Sequence, residues 1–143
     1  MEVPLPLRLG DTRSAMSQEN VEIVRRSIAA YQLGDWDEAT AYLAPDVVWQ
    51  VGQELPAHGP AAVREMWTRW NDEWERLDMV GEEIIDAGDQ VLVAMNYQAR
   101  GRLSGVAVEQ WVFEVHTFRD GRCVSKVDFE TRSEALEAVG LSE

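Results

Sequence analysis

The sequence has one cysteine, Cys123, and no apolar run long enough to span a bilayer, which takes about 18 residues or more. A single cysteine cannot form an internal disulfide bond. Basic residues are also scarce, because 13 Lys and Arg stand against 26 Asp and Glu, for a formal net charge of -13. This charge disfavours binding to phosphate backbones and to anionic membranes. We therefore expect a soluble, cytoplasmic protein that binds neither nucleic acid nor membrane.

The sequence also lacks the motifs that hold metals and nucleotides. Its two histidines, His58 and His116, lie far apart and form neither an HxH nor an HxxxH pattern. The glycines of "GDWDEA" and "GRLSG" do not have the spacing of a phosphate-binding loop. We therefore expect no cofactor and no bound metal, and we interpret Cys123 as a buried, inert thiol.

The 143 residues present suffice for one domain with a sizeable core. Residues 1–16 contain Pro4 and Pro6 and lack the features of a secretory signal, so we expect a flexible N-terminal extension. A single domain is expected over residues 17–143. Ser17 is the predicted N-cap of its first helix, which ends at Gly34.

Three more helices are predicted from capping signals. Asp35 starts a short one that ends before Pro45. Gly59-Pro60 opens a longer one through Leu77, whose Trp67, Trp70 and Trp74 form an aromatic ridge. This ridge is interpreted as core, or as core that also forms one wall of a ligand cavity. Thr131 and Glu134 form a capping box before a last helix that Gly140 terminates.

Strands are predicted near residues 46–51, 79–86, 90–100, 106–118 and 123–130, separated by short glycine-containing turns after the second of them. Short turns between successive strands favour an antiparallel meander. Helices followed by such strands are typical of an α+β fold, in which helices cover one side of a curved sheet.

The hairpin "FEVHTFRDGRCVSKVDFET", residues 113–131, carries ionisable residues at every second position. They are Glu114, His116, Lys126, Asp128 and Glu130. A two-residue turn would place Glu114 and Asp128 on opposite faces, whereas a three-residue turn with a bulge at Gly121 places both on one face. From the pattern alone a solvated face is the simpler interpretation, and a pocket lining is the alternative.

The segments "GDWDEATAYLAPDVVW", "HGPAAVREMW", "TFRDGR" and "EALEAVGL" together resemble the SnoaL-like proteins of the nuclear transport factor 2-like superfamily. The resemblance covers about Ser17 to Leu141. It implies a cone-shaped α+β barrel, in which a curved antiparallel sheet and N-terminal helices enclose a pocket, commonly in a homodimer through the sheet. Members include polyketide cyclases, ketosteroid isomerases, epoxide hydrolases and dehydratases, as well as binding proteins, so the fold alone does not define the function.

The resemblance also assigns candidate catalytic positions. Asp128 falls where limonene epoxide hydrolase-like and SnoaL-like cyclase sequences have their catalytic aspartate. Glu114 falls where ketosteroid isomerase-like members have a protonated aspartate and SnoaL-like cyclases a histidine. Gln50 and Ser27 stand where a ketosteroid isomerase needs its base and tyrosine, and "VLVAMNYQARG" lacks the arginine and aspartate of an epoxide hydrolase. Neither of those two activities is supported.

With the superfamily's covered sheet, the charged face of the hairpin is expected to line the pocket, and Trp111, Phe113 and Phe129 to form a dimer interface. Burial and mutual repulsion would then raise one carboxyl pKa, and we expect Asp128 to act as base with a proton-carrying Glu114 or His116 assisting. The other expected pocket-lining residues are Tyr31, Trp49, Trp67, Trp70, Tyr97, Phe118 and Glu130.

These residues predict cofactor-free acid/base catalysis, such as cyclisation, isomerisation or dehydration, on a hydrophobic small molecule that bears a carbonyl group. The alternatives are a non-catalytic ligand-binding module and a protein-interaction module of the same fold. The sequence does not define the substrate, because several strands contribute to the pocket.

Overall fold

The computed structural model describes residues 9–142, and this part of the chain has the expected α+β fold. The helices are α1 Leu9–Gln32, α2 Trp36–Thr40, α3 Pro60–Asp72 and α4 Arg132–Ala138. The strands are β1 Leu43–Val51, β2 Ala57–His58, β3 Trp74–Ala87, β4 Gln90–Gly101, β5 Ala107–Arg119 and β6 Arg122–Phe129.

The six strands form one curved, unclosed sheet in the order β2-β1-β6-β5-β4-β3. Strands β3 to β6 form the expected antiparallel meander. Strand β1, whose partner the sequence did not predict, pairs in parallel with β6 and places the N-terminal half of the chain beside the last hairpin. The short strand β2, which the sequence did not predict, pairs with the outer side of β1.

Helix α1 begins at Leu9 rather than at Ser17. Residues 9–16 are therefore helical and residues 1–8 lie outside the described residues, and the division into an N-terminal extension and a domain from residue 17 stays a prediction. Ser17 is not an N-cap; its buried Oγ donates a hydrogen bond of 2.9 Å to Asp86 Oδ2 on β3. This bond ties α1 to the sheet.

Helix α3 ends at Asp72, although the apolar pattern predicted a helix through Leu77. Trp74 instead starts β3, where it pairs with Gly101 of β4. The Arg102 guanidinium donates to the carbonyl oxygens of Asp72 and Trp74 at 3.0 and 3.1 Å. Long-range strand pairing and this arginine therefore override the local helical periodicity.

The hairpin between β5 and β6 has a two-residue turn, since Arg119 pairs with Arg122. Both turn residues have positive φ, 53° at Asp120 and 77° at Gly121, which fits the Asp-Gly preference of such turns. The predicted three-residue turn with a bulge at Gly121 is therefore wrong. A bulge instead follows the turn on β6, where the register of pairing with β5 shifts between Cys123 and Ser125. This bulge places Glu114 directly opposite Asp128.

Around the middle of the hairpin formed by β5 and β6, both faces of the sheet are covered within this chain. Against the inner face pack α1 and α3, with a core that includes Val24, Ile28, Val63, Trp67, Val91, Val93, Met95 and Tyr97. Helix α4 covers the outer face at the hairpin, where Ala135 and Leu136 pack against a cluster formed by Leu92, Ala94, Phe113, Val115, Ile85, Phe129 and Val139.

The cover by α4 corrects the assignment of the outer aromatic residues to a dimer interface. Phe113 is buried and Phe129 partly buried under α4 of the same chain, so neither is left for a partner. Trp111 is 45% exposed and stacks on Phe113 at 6.2 Å between ring centroids. The homodimer itself stays a prediction.

Candidate active site

Three ionisable side chains of the hairpin are buried on the inner face of the sheet. Glu114, His116 and Lys126 have relative exposures of 6%, 3% and 3%. Strand pairing brings them together, because His116 lies opposite Lys126 and Glu114 lies opposite Asp128. Buried charge is costly unless it is paired, so the partners of these groups define what the site can do.

His116 is held between two polar groups. Its Nε2 lies 3.0 Å from Glu114 Oε1, and its Nδ1 lies 3.2 Å from the hydroxyl oxygen of Tyr42. Burial lowers the pKa of His116, so the ring is neutral at neutral pH. A neutral ring beside a carboxylate donates from Nε2, and Nδ1 then accepts a hydrogen bond from the Tyr42 hydroxyl.

The ammonium group of Lys126 is enclosed by one carboxylate and two indoles. Its Nζ lies 3.8 Å from Glu114 Oε1, 4.3 Å from the ring centroid of Trp49 and 5.5 Å from that of Trp67. Ion pairing and cation-π attraction together offset the loss of hydration. Lys126 is therefore buried with partners.

The two carboxyl groups carry different charges. Burial, followed by the charge of Glu114, raises the pKa of Asp128 well above its usual range, although the Trp49 indole donates a hydrogen bond of 2.7 Å to its Oδ1. Burial also acts to raise the pKa of Glu114, but the charge of Lys126 and the hydrogen bond from His116 outweigh it and lower that pKa to about 2. A proton shared by the pair therefore resides on Asp128, which reverses the expected division in which Glu114 carried it.

A small inner chamber lies against these groups. It has a volume of about 40 Å³, with a polar side formed by Glu114, His116 and Lys126. Its aromatic walls are Tyr31, Tyr42, Trp67, Trp70 and Tyr97. Such a volume holds a few heavy atoms, which is enough for water or for the end of a larger molecule.

An outer cleft of about 460 Å³ adjoins the chamber, and the two spaces share Tyr31, Met79 and Tyr97 as walls. Trp36 extends the aromatic wall, because its ring stacks on Tyr31 at 6.1 Å. Asn71 adds a polar group and donates a hydrogen bond of 3.0 Å to the Tyr31 hydroxyl. The cleft is thus large enough for the body of a small organic molecule.

A second open groove, of about 470 Å³, runs past Arg76, Asp78, Gln98 and Arg100. It has no aromatic wall and contains none of the buried ionisable groups. We therefore assign the candidate site to the chamber and the outer cleft.

The other predicted site residues divide between the chamber, its surroundings and the surface. Tyr31, Trp67, Trp70 and Tyr97 line the chamber. Trp49 lies behind it and binds Asp128, which is half-buried beside Glu114 without lining the chamber.

Two further positions that were predicted to line the pocket, Phe118 and Glu130, lie away from the chamber, as does His58. Phe118 is buried against Tyr42, whereas Glu130 and His58 are exposed and do not line it. Cys123 is buried, and burial raises its thiol pKa to about 12. Gln50 donates its amide hydrogens to the carbonyl oxygens of Gly52 and Glu54.

Sequence reasoning missed Tyr42 and did not assign a site role to Lys126. Tyr42 immediately precedes β1, and no local pattern marks it. Lys126 did carry a signal, because it is the only lysine in the sequence and all the other basic side chains among the 13 Lys and Arg are arginines. Within residues 9–142 there is no group of three or more His, Cys, Asp and Glu side chains placed to hold a metal ion.

None of the described helices is long and apolar enough to cross a membrane. Comparison of the sequence with curated proteins finds no significant match. Comparison with solved structures finds many proteins with the same fold, and three of them illustrate the likeness.

A nuclear transport factor 2-like protein of unknown function from Burkholderia pseudomallei K96243 is 22% identical, with a TM-score of 0.72, and the match covers 85% of this chain and 97% of that one. A candidate polyketide cyclase from Xanthomonas campestris pv. campestris is also 22% identical, with a TM-score of 0.72 over 87% of this chain and 98% of that one. TerC, co-crystallised with polyporic acid, is 21% identical, with a TM-score of 0.69 over 85% of this chain and 98% of its own.

The model of the SnoaL-like domain family matches residues 24–126, which is well over half of the chain and ends two residues before Asp128. The N-terminal helices and the curved sheet fit this match. The chain belongs to the SnoaL-like domain family, and its fold is that of the nuclear transport factor 2-like structures it resembles.

Proposed function

We propose that the chain is a cofactor-free acid/base catalyst that removes a proton next to the carbonyl group of a hydrophobic small molecule, as cyclisation, isomerisation or dehydration requires. The SnoaL-like fold supports a small-molecule-binding protein. The observation that carries the finer proposal is the pairing of buried Glu114 with half-buried Asp128, whose carboxyl groups carry different charges beside an aromatic chamber.

The two carboxyl groups divide the work by position and by basicity. Glu114 lines the chamber and meets the substrate, whereas Asp128 lies behind it and has the higher pKa. When both are ionised, Glu114 takes the proton as the C–H bond breaks, the electron pair stays on the substrate as an enolate, and the proton passes to Asp128 through the hydrogen bond between the carboxyl groups. Asp128 later returns it by the same route.

The chamber and the cleft support a substrate with a narrow reacting end and a wider body. About 40 Å³ admits a carbonyl group and its neighbouring carbon, whereas about 460 Å³ admits a ring system against Tyr31 and Trp36. TerC, a fold relative, has been co-crystallised with the small molecule polyporic acid.

Hydrogen-deuterium exchange at the methyl group of 2-acetylnaphthalene in D₂O, followed by ¹H NMR, tests the proposal. The wild-type chain should accelerate exchange, and the rate should rise with pH as Asp128 ionises. Asp128→Asn should reduce exchange by about 100-fold or more, which is the usual size of a general acid/base contribution. The asparagine Oδ1 can still accept the hydrogen bond from Trp49.

Glu130→Gln is the matched control, because this exposed carboxylate lies two residues away on the same hairpin. Its exchange rate should equal that of the wild type. Unchanged exchange in Asp128→Asn, or no acceleration by the wild type, would contradict the proposed catalysis.

A non-catalytic ligand-binding role is the second candidate, favoured by the small volume of the chamber and by the ion pair of Glu114 with Lys126. In that case a ligand would bind and be recovered unaltered, with exchange no faster than in buffer. A homodimer through the outer face of the sheet and a cytoplasmic location stay predictions. A monomer in sedimentation equilibrium at micromolar concentration would contradict the first of these.

A further inference from the structure

Lys126 is the one lysine of the sequence, and it lies in the chamber with 3% of its surface exposed. An ammonium group has three N–H donors. Among the described residues, the structure gives Nζ no acceptor at hydrogen-bond distance, and the Glu114 Oε1 atom of its ion pair is 3.8 Å away. The indoles of Trp49 and Trp67 attract the charge through their faces, but they accept no conventional hydrogen bond.

The other polar groups of the site already have partners. His116 is bound between Glu114 and Tyr42, and the Trp49 indole donates to Asp128. The Tyr97 hydroxyl lies 3.5 Å from the sulfur of Met95, which is a weak acceptor. Lys126 is therefore the cation of the chamber whose donors are free for a ligand.

We propose that Lys126 binds a ligand oxygen that carries negative charge on a planar carbon, as in a carboxylate or an enolate. For the enolate, the proposal rests on the proposed function. When Glu114 takes the substrate proton and passes it to Asp128, the negative charge of Asp128 is replaced by one on the substrate oxygen, which Lys126 binds beside Glu114. The number of charges in and behind the chamber then stays constant, and no buried charge is left without a partner.

The choice of lysine fits the space. An ammonium is compact, whereas a guanidinium is a wide planar group, and the chamber of about 40 Å³ has to hold the ligand oxygen as well. The ring of an aromatic acid can lie in the outer cleft against Tyr31 and Trp36 while its carboxylate enters the chamber. This arrangement selects a flat ligand with one terminal oxyanion.

Binding of 2-naphthoate and of its uncharged analogue 2-naphthamide, measured by isothermal titration calorimetry, tests the assignment. The wild type should bind the naphthoate about ten times more tightly or better, since a hydrogen bond to a charged group contributes that much. Lys126→Met keeps a long side chain against both indoles and should lose this preference, while its affinity for the amide changes little.

A second pair of variants avoids the unpaired Glu114 that Lys126→Met leaves behind. Glu114→Gln should keep the preference for naphthoate, and the double variant Glu114→Gln/Lys126→Met should lose it. The single lysine provides a direct readout as well, because ¹⁵N-lysine labelling yields one side-chain signal, which should shift when naphthoate binds.

Three results would overturn the assignment: a preference that persists in the double variant, a lysine signal that does not move at saturation, or a wild type that binds naphthoate no better than naphthamide. The two proposals fail separately. A wild type without the naphthoate preference overturns the assignment of Lys126 without contradicting accelerated exchange, and absent exchange with an intact preference overturns the proposed catalysis alone.

Discussion

The two faces of the hairpin formed by β5 and β6 are both buried, and they are stabilised in different ways. The inner face places Glu114, His116 and Lys126 against the chamber, whereas the outer face places Phe113 and Val115 under α4. An alternating pattern therefore predicts which residues share a face, but it does not predict which face meets water. Here neither face does at the middle of the hairpin.

The difference lies in how each face responds to the loss of one side chain. On the inner face each polar group depends on a partner, so removal of one charge leaves another unpaired in the interior. On the outer face removal of an apolar group leaves a cavity, whose cost depends on the lost volume. Three variants separate these responses.

The largest effect is expected on the inner face. Lys126→Met leaves the Glu114 carboxylate buried without its cation, and the free energy of unfolding should fall by about 3–5 kcal/mol. Urea denaturation measures this loss. Glu114→Gln in the same chain should restore most of it, and a single variant as stable as the wild type would contradict the buried ion pair.

An intermediate effect is expected on the outer face. Leu136→Ala removes the buried leucine of α4 and should lower the free energy of unfolding by about 2–4 kcal/mol. Naphthoate affinity should not change, because α4 packs on the face of the sheet opposite the chamber. Glu137→Ala, an exposed position of the same helix, is the control and should leave stability almost unchanged.

The smallest effect is expected from Asp128→Asn, and it depends on pH. The folded state raises the pKa of Asp128, so the stability that proton binding contributes is present below the unfolded pKa of about 3.9 and is lost as pH rises through the folded pKa. The asparagine does not titrate and keeps this contribution.

The Tm of Asp128→Asn minus that of the wild type should therefore increase from pH 4 to neutral pH, as differential scanning calorimetry can measure. A difference that stays constant over this range would contradict the raised pKa of Asp128.

Much of the fold could be predicted from local sequence signals. The Asp-Gly turn, the capping box at Thr131 and the β-branched strands indicate their elements directly. The end of α3 could not be predicted, because Trp74 continues a helical apolar pattern and is turned into a strand by Gly101 and Arg102, far along the chain. The parallel pairing of β1 with β6 is equally non-local.

The candidate site was predictable in composition but not in detail. A shared face for Glu114 and Asp128 was expected from a bulged three-residue turn, and mutual repulsion indicated that one carboxyl pKa rises. The position of the bulge could not be predicted, because two arrangements place Glu114 and Asp128 on the same face of the hairpin. One is a bulge within the turn, and the other is a two-residue turn followed by a bulge after Cys123. Which carboxyl keeps the proton depends on Lys126, whose distance from Glu114 no local pattern specifies.

The hydrogen bond from Trp49 to Asp128 joins residues 79 positions apart, and it lies at the parallel junction of β1 with β6. During synthesis, β1 leaves the ribosome long before the strand that completes its pairing. The indole of Trp49, buried in the folded protein, then lacks its partner on β6 until the chain through Asp128 has emerged. Contacts of such high sequence separation form slowly. The contact between Trp49 and Asp128 is therefore made only when the last hairpin closes, and a nascent chain has no partial version of it.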